Sequence, residues 1–398
     1  MGSVYRGLTL RSTRDPLYLQ RTQAISSRSL LRQITNCDNQ TYNFYYTDAR
    51  PCIPYACDYA HSAFGGQLLA VTDEDGRVTL IRTDKSSSVE DLDFHSTFYA
   101  HGNTVFDVKW SPNDQLLATA SADKLMILWD VETQKRLSCF EGHEMSLKSV
   151  NWHPVNPNLL VTASKDGSFN IWDTRFQMKG TLTEEGLDLP MYRPIKSVKN
   201  AHSNQPRKQK KQRTLSKRRT PDRPVTSALF VRDGEEQIVS SGSYDGTIKL
   251  WDCRAGRDAS PLEETTSGGV RGISDMKINS SGTSLFSICM DQSVYMHHLN
   301  NLSGLARRYT DPDFRTTSFY IKMSISHDDR FILSGSSTNS IFAWEIDCPK
   351  QKAYQFKGHS HEVSSVAWSK TSTKQFASCS DDSSVRLWNE TFERINDR

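Results

Sequence analysis

GHEMSLKSVNWHPVNPNLLVTASKDGSFNIWD, residues 142–173, is one complete beat of a repeat of strands and turns. Gly142-His143 ends a turn. Leu147, Val150 and Trp152 mark a first strand, which His153-Pro154 and Asn156-Pro157 stop. Leu159–Ser164 reads as a second strand, Lys165-Asp166-Gly167-Ser168 as a turn, and Phe169–Trp172 as a third strand. An acidic residue stands six positions before a tryptophan here, and the same pair recurs along the chain. Asp123/Trp129, Asp166/Trp172, Asp245/Trp251 and Asp382/Trp388 are full copies; Asp75/Ile81, Asp291/His297 and Thr338/Trp344 are weaker ones. The steps between second members are 48, 43, 79, 46, 47 and 44 residues. Only the 79 is out of line, so the chain carries seven beats and one insertion.

A period of about 40–45 residues, with Gly-His near the start and Trp-Asp near the end, resembles the WD repeat, one four-stranded blade each. The expected fold is all-β: a seven-bladed WD-repeat β-propeller over residues 48–398. It carries an N-terminal extension at 1–47 and a basic, disordered insertion at 176–224. The resemblance implies a buried hydrogen-bonded set of His, Ser or Thr, Asp and Trp within a blade. The candidates are His101/Thr119/Asp123/Trp129, His143/Thr162/Asp166/Trp172 and His359/Ser378/Asp382/Trp388, with His202/Ser241/Asp245/Trp251 as a looser fourth. Ser, His and Asp together also invite a catalytic reading. A hydrolase needs one such constellation, not one per repeat, so the structural reading is preferred and no enzyme activity is expected.

Composition narrows the function further. No stretch approaches the roughly 18 apolar residues of a membrane span, and no secretory apolar core opens the chain. The 8 cysteines are scattered, with Cys52 and Cys57 the only close pair. A reducing compartment, no structural metal and no cofactor are expected. The formal net charge is +3; residues 1–36 contribute +5 and residues 207–223 contribute +8, which leaves −10 for the rest. An acidic propeller body argues against a broad nucleic-acid face and suits a partner bearing basic residues.

Ser203–Arg223 has Leu215 as its sole large apolar residue, which predicts a solvated loop. Its two basic clusters, Arg207, Lys208, Lys210, Lys211, Arg213 and then Lys217, Arg218, Arg219, are spaced like a nuclear-import signal. The alternative is a merely solvated charge run. The Arg-rich, acid-poor N-terminus has three readings: a mitochondrial transit peptide, a disordered tail, or a short docking helix within Gln23–Thr35. The helix reading rests on the stripe Ala24, Ile25, Leu30, Leu31 and Ile34. The basic loop argues against mitochondria, and a nuclear location is expected.

Two blade ends add something the fold does not require. Trp172-Asp173-Thr174-Arg175 and Trp251-Asp252-Cys253-Arg254 are both W-D-x-R. The equivalent positions elsewhere are Glu132, Asp347 and Thr391. An arginine there can leave the rim and form charge-assisted hydrogen bonds to another protein. W-D-x-R resembles the signature of receptors that dock on the damaged-DNA-binding adaptor of cullin-4 RING ubiquitin ligases. Further strings resemble the denticleless family of such receptors: residues 100–107 (AHGNTVFD), 142–150 (GHEMSLKSV), 318–322 (SFYIK) and 358–368 (GHSHEVSSVAW).

The resemblance implies a non-catalytic substrate receptor. It would present replication proteins bound to the sliding clamp PCNA, among them a licensing factor and a ribonucleotide reductase inhibitor, for ubiquitination. Arg175 and Arg254, with Asp173 and Asp252, would carry adaptor docking, and the opposite face would read the degron. Candidate substrate residues are Asp107, Lys148, Asp275, Tyr320, Lys322 and Glu362. Asp107 and Asp275 share one repeat position and should stand at the channel mouth, where they would attract a basic degron. No Gln-x-x-apolar-x-x-aromatic-aromatic stretch is evident, so direct clamp contact is not expected. Two rivals remain: a WD-repeat scaffold of a chromatin or RNA-processing complex, and a propeller enzyme with a polar, carboxylate- or metal-lined channel.

Overall fold

In the computed structural model each beat is a blade, and seven blades close into a ring. The structure describes residues 29–36, 40–84, 95–176, 181–184, 187–202, 223–231, 237–254, 260–266 and 271–390. Blade 3 holds the opening repeat: Leu147–Trp152, Leu159–Ser164, Phe169–Asp173 and Lys196–Val198, paired antiparallel in that order. The first strands of the seven blades are Pro54–Tyr59, Val105–Trp110, Leu147–Trp152, Val225–Phe230, Ile273–Ile278, Met323–Ile325 and Val363–Trp368. They stand beside one another around the central channel.

The core is divided rather than single. Among the described residues seven apolar clusters fill the seven gaps between neighbouring blades. Each blade is therefore covered on both faces, which is why second strands such as Leu159–Ser164 are almost wholly buried and lack simple alternation.

The hydrogen-bonded sets form within the blades. His101 Nδ1 lies 2.7 Å from Asp123 and its Nε2 2.7 Å from Thr119, whose hydroxyl accepts from Trp129 Nε1 at 3.0 Å. The sets on His143 and His359 repeat this geometry. The fourth set corrects the expectation. His202 Nε2 and Trp251 Nε1 meet Ser240, at 2.9 and 2.8 Å, and not Ser241. Ser240 pairs with Lys249, whereas Thr162 pairs with Asn170, so the hairpin of blade 4 is one residue longer and the hydroxyl moves back by one. Both ring nitrogens of all four histidines are engaged in holding the blade, which supports the structural reading of these sets.

Two features depart from the expected segments. Ile34–Thr35 and Thr41–Asn43, inside the N-terminal extension, pair with Ser384–Glu390 and complete the seventh blade. Leu31 and Ile34, from the stripe expected to dock outward, are each 2% exposed and pack with Phe356, Phe376 and Trp388. Ala24 and Ile25 lie outside the described residues. Closing the ring with early residues covers an edge strand that would otherwise present unpaired backbone. Within the range 176–224, Lys196–Val198 is the outer strand of blade 3. Leu187–Tyr192 adds a parallel strand to Arg136–Glu141 of blade 2, with Thr181–Glu184 outside it. Tyr192 stacks on Phe140 with ring centroids 4.6 Å apart, and this contact anchors the added strand. The basic clusters at 207–219 lie outside the described residues.

Blade 5 lacks the complete set, and this has a pH consequence. His297 stands in the tryptophan position, fully buried, and neither ring nitrogen has a hydrogen-bond partner among the described residues. Burial lowers its pKa below the ordinary 6.5. Above pH 6.5 the ring is neutral whether folded or unfolded. Below it the unfolded chain takes a proton that the folded blade refuses, so stability falls with pH. Relative to His297→Leu, the wild type should lose stability between pH 7.5 and 5.5, read from paired denaturant melts. A constant difference between the two proteins would refute it.

Candidate functional site

The alternation of strand direction sorts the residues onto two faces. First and third strands run the same way, so Trp-Asp ends share a face with the ends of the first strands. The starts of the first strands, and the turns between second and third strands, lie on the other face.

On the first of these faces both W-D-x-R arginines are braced by their own aspartates. Arg175 Nη2 lies 2.6 Å from Asp173 Oδ2, and its Nε donates to Oδ1 at 2.9 Å. Arg254 Nε lies 3.2 Å from Asp252 Oδ1. The aspartates also cap their turns by accepting from the backbone N–H of Arg175 and Arg254. These bonds hold both carboxyls below the usual carboxylate range. The arginine side chains remain 57% and 70% exposed. Lys196, on the outer strand of blade 3, donates to the carbonyls of Asp252 and Cys253 at 3.3 and 2.5 Å, which ties the two blade ends together. The sequence therefore places two oriented, solvent-facing guanidinium groups on adjacent blades of one face. Exposed Phe176 extends that surface, 6.0 Å beneath the Arg175 guanidinium.

The opposite mouth differs from expectation. Asp107 and Asp275 do border it, but they are 2% and 5% exposed and are not rim acids. Asp107 accepts from Lys322 Nζ at 2.7 Å, from Lys109 Nζ at 3.2 Å and from the Val150 N–H at 3.0 Å. Asp275 accepts from the Met323 N–H at 3.1 Å and faces Lys277 Nζ at 3.5 Å. Burial raises the Asp107 pKa and the lysines overcome it, so the carboxyl stays well below its usual range. Each acid thus rivets its blade to the next one. The cause is a β-bulge at the start of the first strand, between Val105 and Asp107 and again between Ile273 and Asp275. The bulge turns these side chains inward and leaves the preceding residue at the mouth.

Tyr55, Phe106 and Lys148 hold that preceding position in blades 1 to 3, and Tyr320, from the segment before the first strand of blade 6, joins them at the mouth. Tyr55, Phe106 and Tyr320 form a three-ring cluster with centroid distances of 5.4 to 5.6 Å. Lys148 Nζ sits 4.1 Å from the centre of Phe106 and 4.5 Å from that of Tyr320. Glu362 lies apart on blade 7 beside Asp381, whose carboxyl is raised by burial and by Glu362. Of the six substrate candidates, the structure gathers Asp107, Lys148, Asp275, Tyr320 and Lys322 around one cavity and leaves Glu362 out of it. Sequence reasoning missed Tyr55 and Phe106, and also Lys109 and Lys277. The repeated Asp-x-Lys of Asp107-Val108-Lys109 and Asp275-Met276-Lys277 was the available signal for the two lysines. Among the described residues no group of three or more His, Cys, Asp or Glu is placed to hold a metal ion.

Comparison with known proteins agrees with the fold and the repeat pattern. The family model "WD domain, G-beta repeat" matches residues 86–130, 134–173, 210–252 and 350–389. The chain is 38% identical over 363 residues to the Danio rerio "Denticleless protein homolog", covering 86% of this chain and 53% of that protein. It is 31% identical over 382 residues to the Homo sapiens homolog, covering 91% and 50%. With the Drosophila melanogaster "Protein lethal(2)denticleless" the identity is 29% over 358 residues, covering 86% and 46%. The chain thus spans about half the length of these curated relatives. A propeller of seven WD repeats, matched along most of its length by these proteins, belongs to the denticleless family.

Proposed function

We propose that this chain is the substrate-recognition subunit of a cullin-4 RING ubiquitin ligase, docked through Arg175 and Arg254 on the damaged-DNA-binding adaptor. The observation that carries the reading is the pair of exposed arginines, each braced by an aspartate, on adjacent blades of one face. An arginine already oriented by a neighbour loses less side-chain entropy when a partner carboxylate or carbonyl reaches it. The aromatic mouth on the opposite face receives the substrate, so adaptor and substrate do not compete for surface. In this role the chain performs no chemistry; it holds replication proteins associated with PCNA, a licensing factor or a ribonucleotide reductase inhibitor, near the ligase. The propeller itself makes no direct contact with nucleic acid or membrane in this scheme. Leu31 and Ile34 serve the seventh blade and are not available for docking.

Copurification tests the reading. A tagged chain should recover the adaptor and cullin-4 from a lysate, with PCNA-bound substrate captured after crosslinking. Recovery of a chromatin or RNA-processing complex without adaptor would replace it with the scaffold reading.

We also propose that Arg207, Lys208, Lys210, Lys211, Arg213, Lys217, Arg218 and Arg219 direct nuclear import. Deleting residues 207–219 should leave the melt of the purified protein within about 1 °C, because loop-length costs grow slowly. Nuclear accumulation of a fluorescent fusion should fall. A deleted protein that remains nuclear removes this assignment.

A further inference from the structure

The mouth cavity has a chemistry that differs from the basic-degron expectation. It measures about 400 Å³ and is bounded by blades 2 to 5 and the segment 317–322. Phe106, Tyr244, Phe319 and Tyr320 supply its apolar wall. Ser149, Ser243 and Ser274 also line it. Each is at most 5% exposed, and none of their hydroxyls has a hydrogen-bond partner among the described residues. Buried hydroxyls without partners are uncommon and costly, so three around one cavity indicate that something polar belongs there.

The charges around it do not balance. Asp107 and Asp275 are already matched by Lys322, Lys109 and Lys277. Lys148 and Lys165 border the same space, and no described carboxylate pairs with either. Lys148 instead rests on two aromatic rings and donates to the Tyr320 hydroxyl at 3.5 Å. Burial, then the charges of Lys165 and Lys322, push its pKa down to about 8. A half-buried ammonium among two other ammonium groups and three idle hydroxyls lacks an anion.

We infer that this cavity binds an acidic peptide segment, seating an aspartate or glutamate carboxylate on Lys148 and the cavity hydroxyls while the adjoining backbone lies on the Phe319 and Tyr320 rings. The inference rests on the reading of this face as the substrate face, and it replaces the basic degron by an acidic contact at this position. Lys148 must be protonated to hold the carboxylate, so binding weakens as pH rises through about 8. The other charged groups facing Lys148 do not reverse the sign. Lys165, Lys322, Lys124, Glu144 and Asp166 stand around Lys148, and Asp107, held well below the usual carboxylate range, is paired with Lys322 and Lys109.

The probes are four fluorescein-labelled decapeptides in one Gly-Ser-Tyr frame. They carry glutamate, glutamine, lysine or phosphoserine at the central position. Anisotropy is read with the full-length purified chain. The glutamate peptide should bind at pH 7, the glutamine peptide at least tenfold more weakly, and the lysine peptide not measurably. Binding should be tenfold weaker at pH 9. Lys148→Met keeps the stem on the rings, unpairs no acid and removes a cation that burial disfavours, so it should not lower the melt, and it should abolish the difference between glutamate and glutamine. Equal binding of those two peptides, tighter binding of the lysine peptide, or an unaffected Lys148→Met would overturn the inference. So would a phosphoserine peptide that binds where glutamate does not. Adaptor recovery is measured on the same preparations. Failed peptide binding with intact adaptor recovery sinks the cavity reading alone, whereas failed adaptor recovery sinks the ligase reading.

Discussion

Asp107→Asn should melt roughly 6–10 °C below the wild type, the largest loss of stability expected from any single polar substitution in the channel. The carboxylate is buried and takes up Lys322, Lys109 and the Val150 N–H at once. Neutralising it leaves two half-buried ammonium groups facing each other, and removal of one partner from a buried pair typically costs about 3–5 kcal/mol. The same variant separates two views of this residue. A rim acid that attracts basic substrate would lose binding and keep its melt. A rivet between blades 2 and 3 loses its melt first. The pH dependence has a definite sign: the folded pKa lies below the unfolded one, so this stability is present above about pH 4 and is lost as pH falls further. An unchanged melt for Asp107→Asn would show that the lysines find other partners.

Arg175→Ala with Arg254→Ala carries the largest expected effect on binding. Loss of a buried, hydrogen-bonded charge partner at an interface costs about 2–5 kcal/mol, a 30-fold to several thousand-fold loss of affinity. Stability should hardly move. Both guanidinium groups are mostly solvent-exposed, and the buried Asp173 carboxylate keeps the Arg175 backbone N–H as a donor, as Asp252 keeps that of Arg254. Arg→Lys at both positions is expected to recover only part of the binding, since an ammonium cannot reproduce the planar fork.

The parts of the molecule that were legible from sequence share a cause. Asp and Trp six residues apart must be fixed in spacing, because the aspartate closes a turn and the indole reaches back to a hydroxyl on the next strand. Trp172 to Thr162 at 2.9 Å shows that constraint directly. The W-D-x-R aspartates and arginines were legible for the same reason: a two-residue spacing lets Asp173 accept both the Arg175 N–H and its guanidinium. What escaped notice was set by long-range or irregular geometry. Ile34–Thr35 and Thr41–Asn43 are too short to carry a period, and their partner strand lies some 350 residues away along the chain. One extra residue in the blade 4 hairpin moved the hydroxyl from Ser241 to Ser240. A bulge at the start of the first strand reversed the facing of Asp107 and Asp275, which simple alternation placed at the rim. Leu187–Tyr192 and Lys196–Val198 were hidden in a range whose composition is dominated by the basic run that follows them.

In the proposed role the two faces do separate work, adaptor on the arginine face and substrate at the mouth. Its most direct test is titration of purified adaptor against the purified chain, comparing wild type, the Arg175→Ala/Arg254→Ala pair and Lys148→Met. The wild type and Lys148→Met should bind tightly and the arginine pair at least 30-fold more weakly, with neither variant melting appreciably below the wild type. Equal adaptor affinity for the arginine pair and the wild type would contradict it.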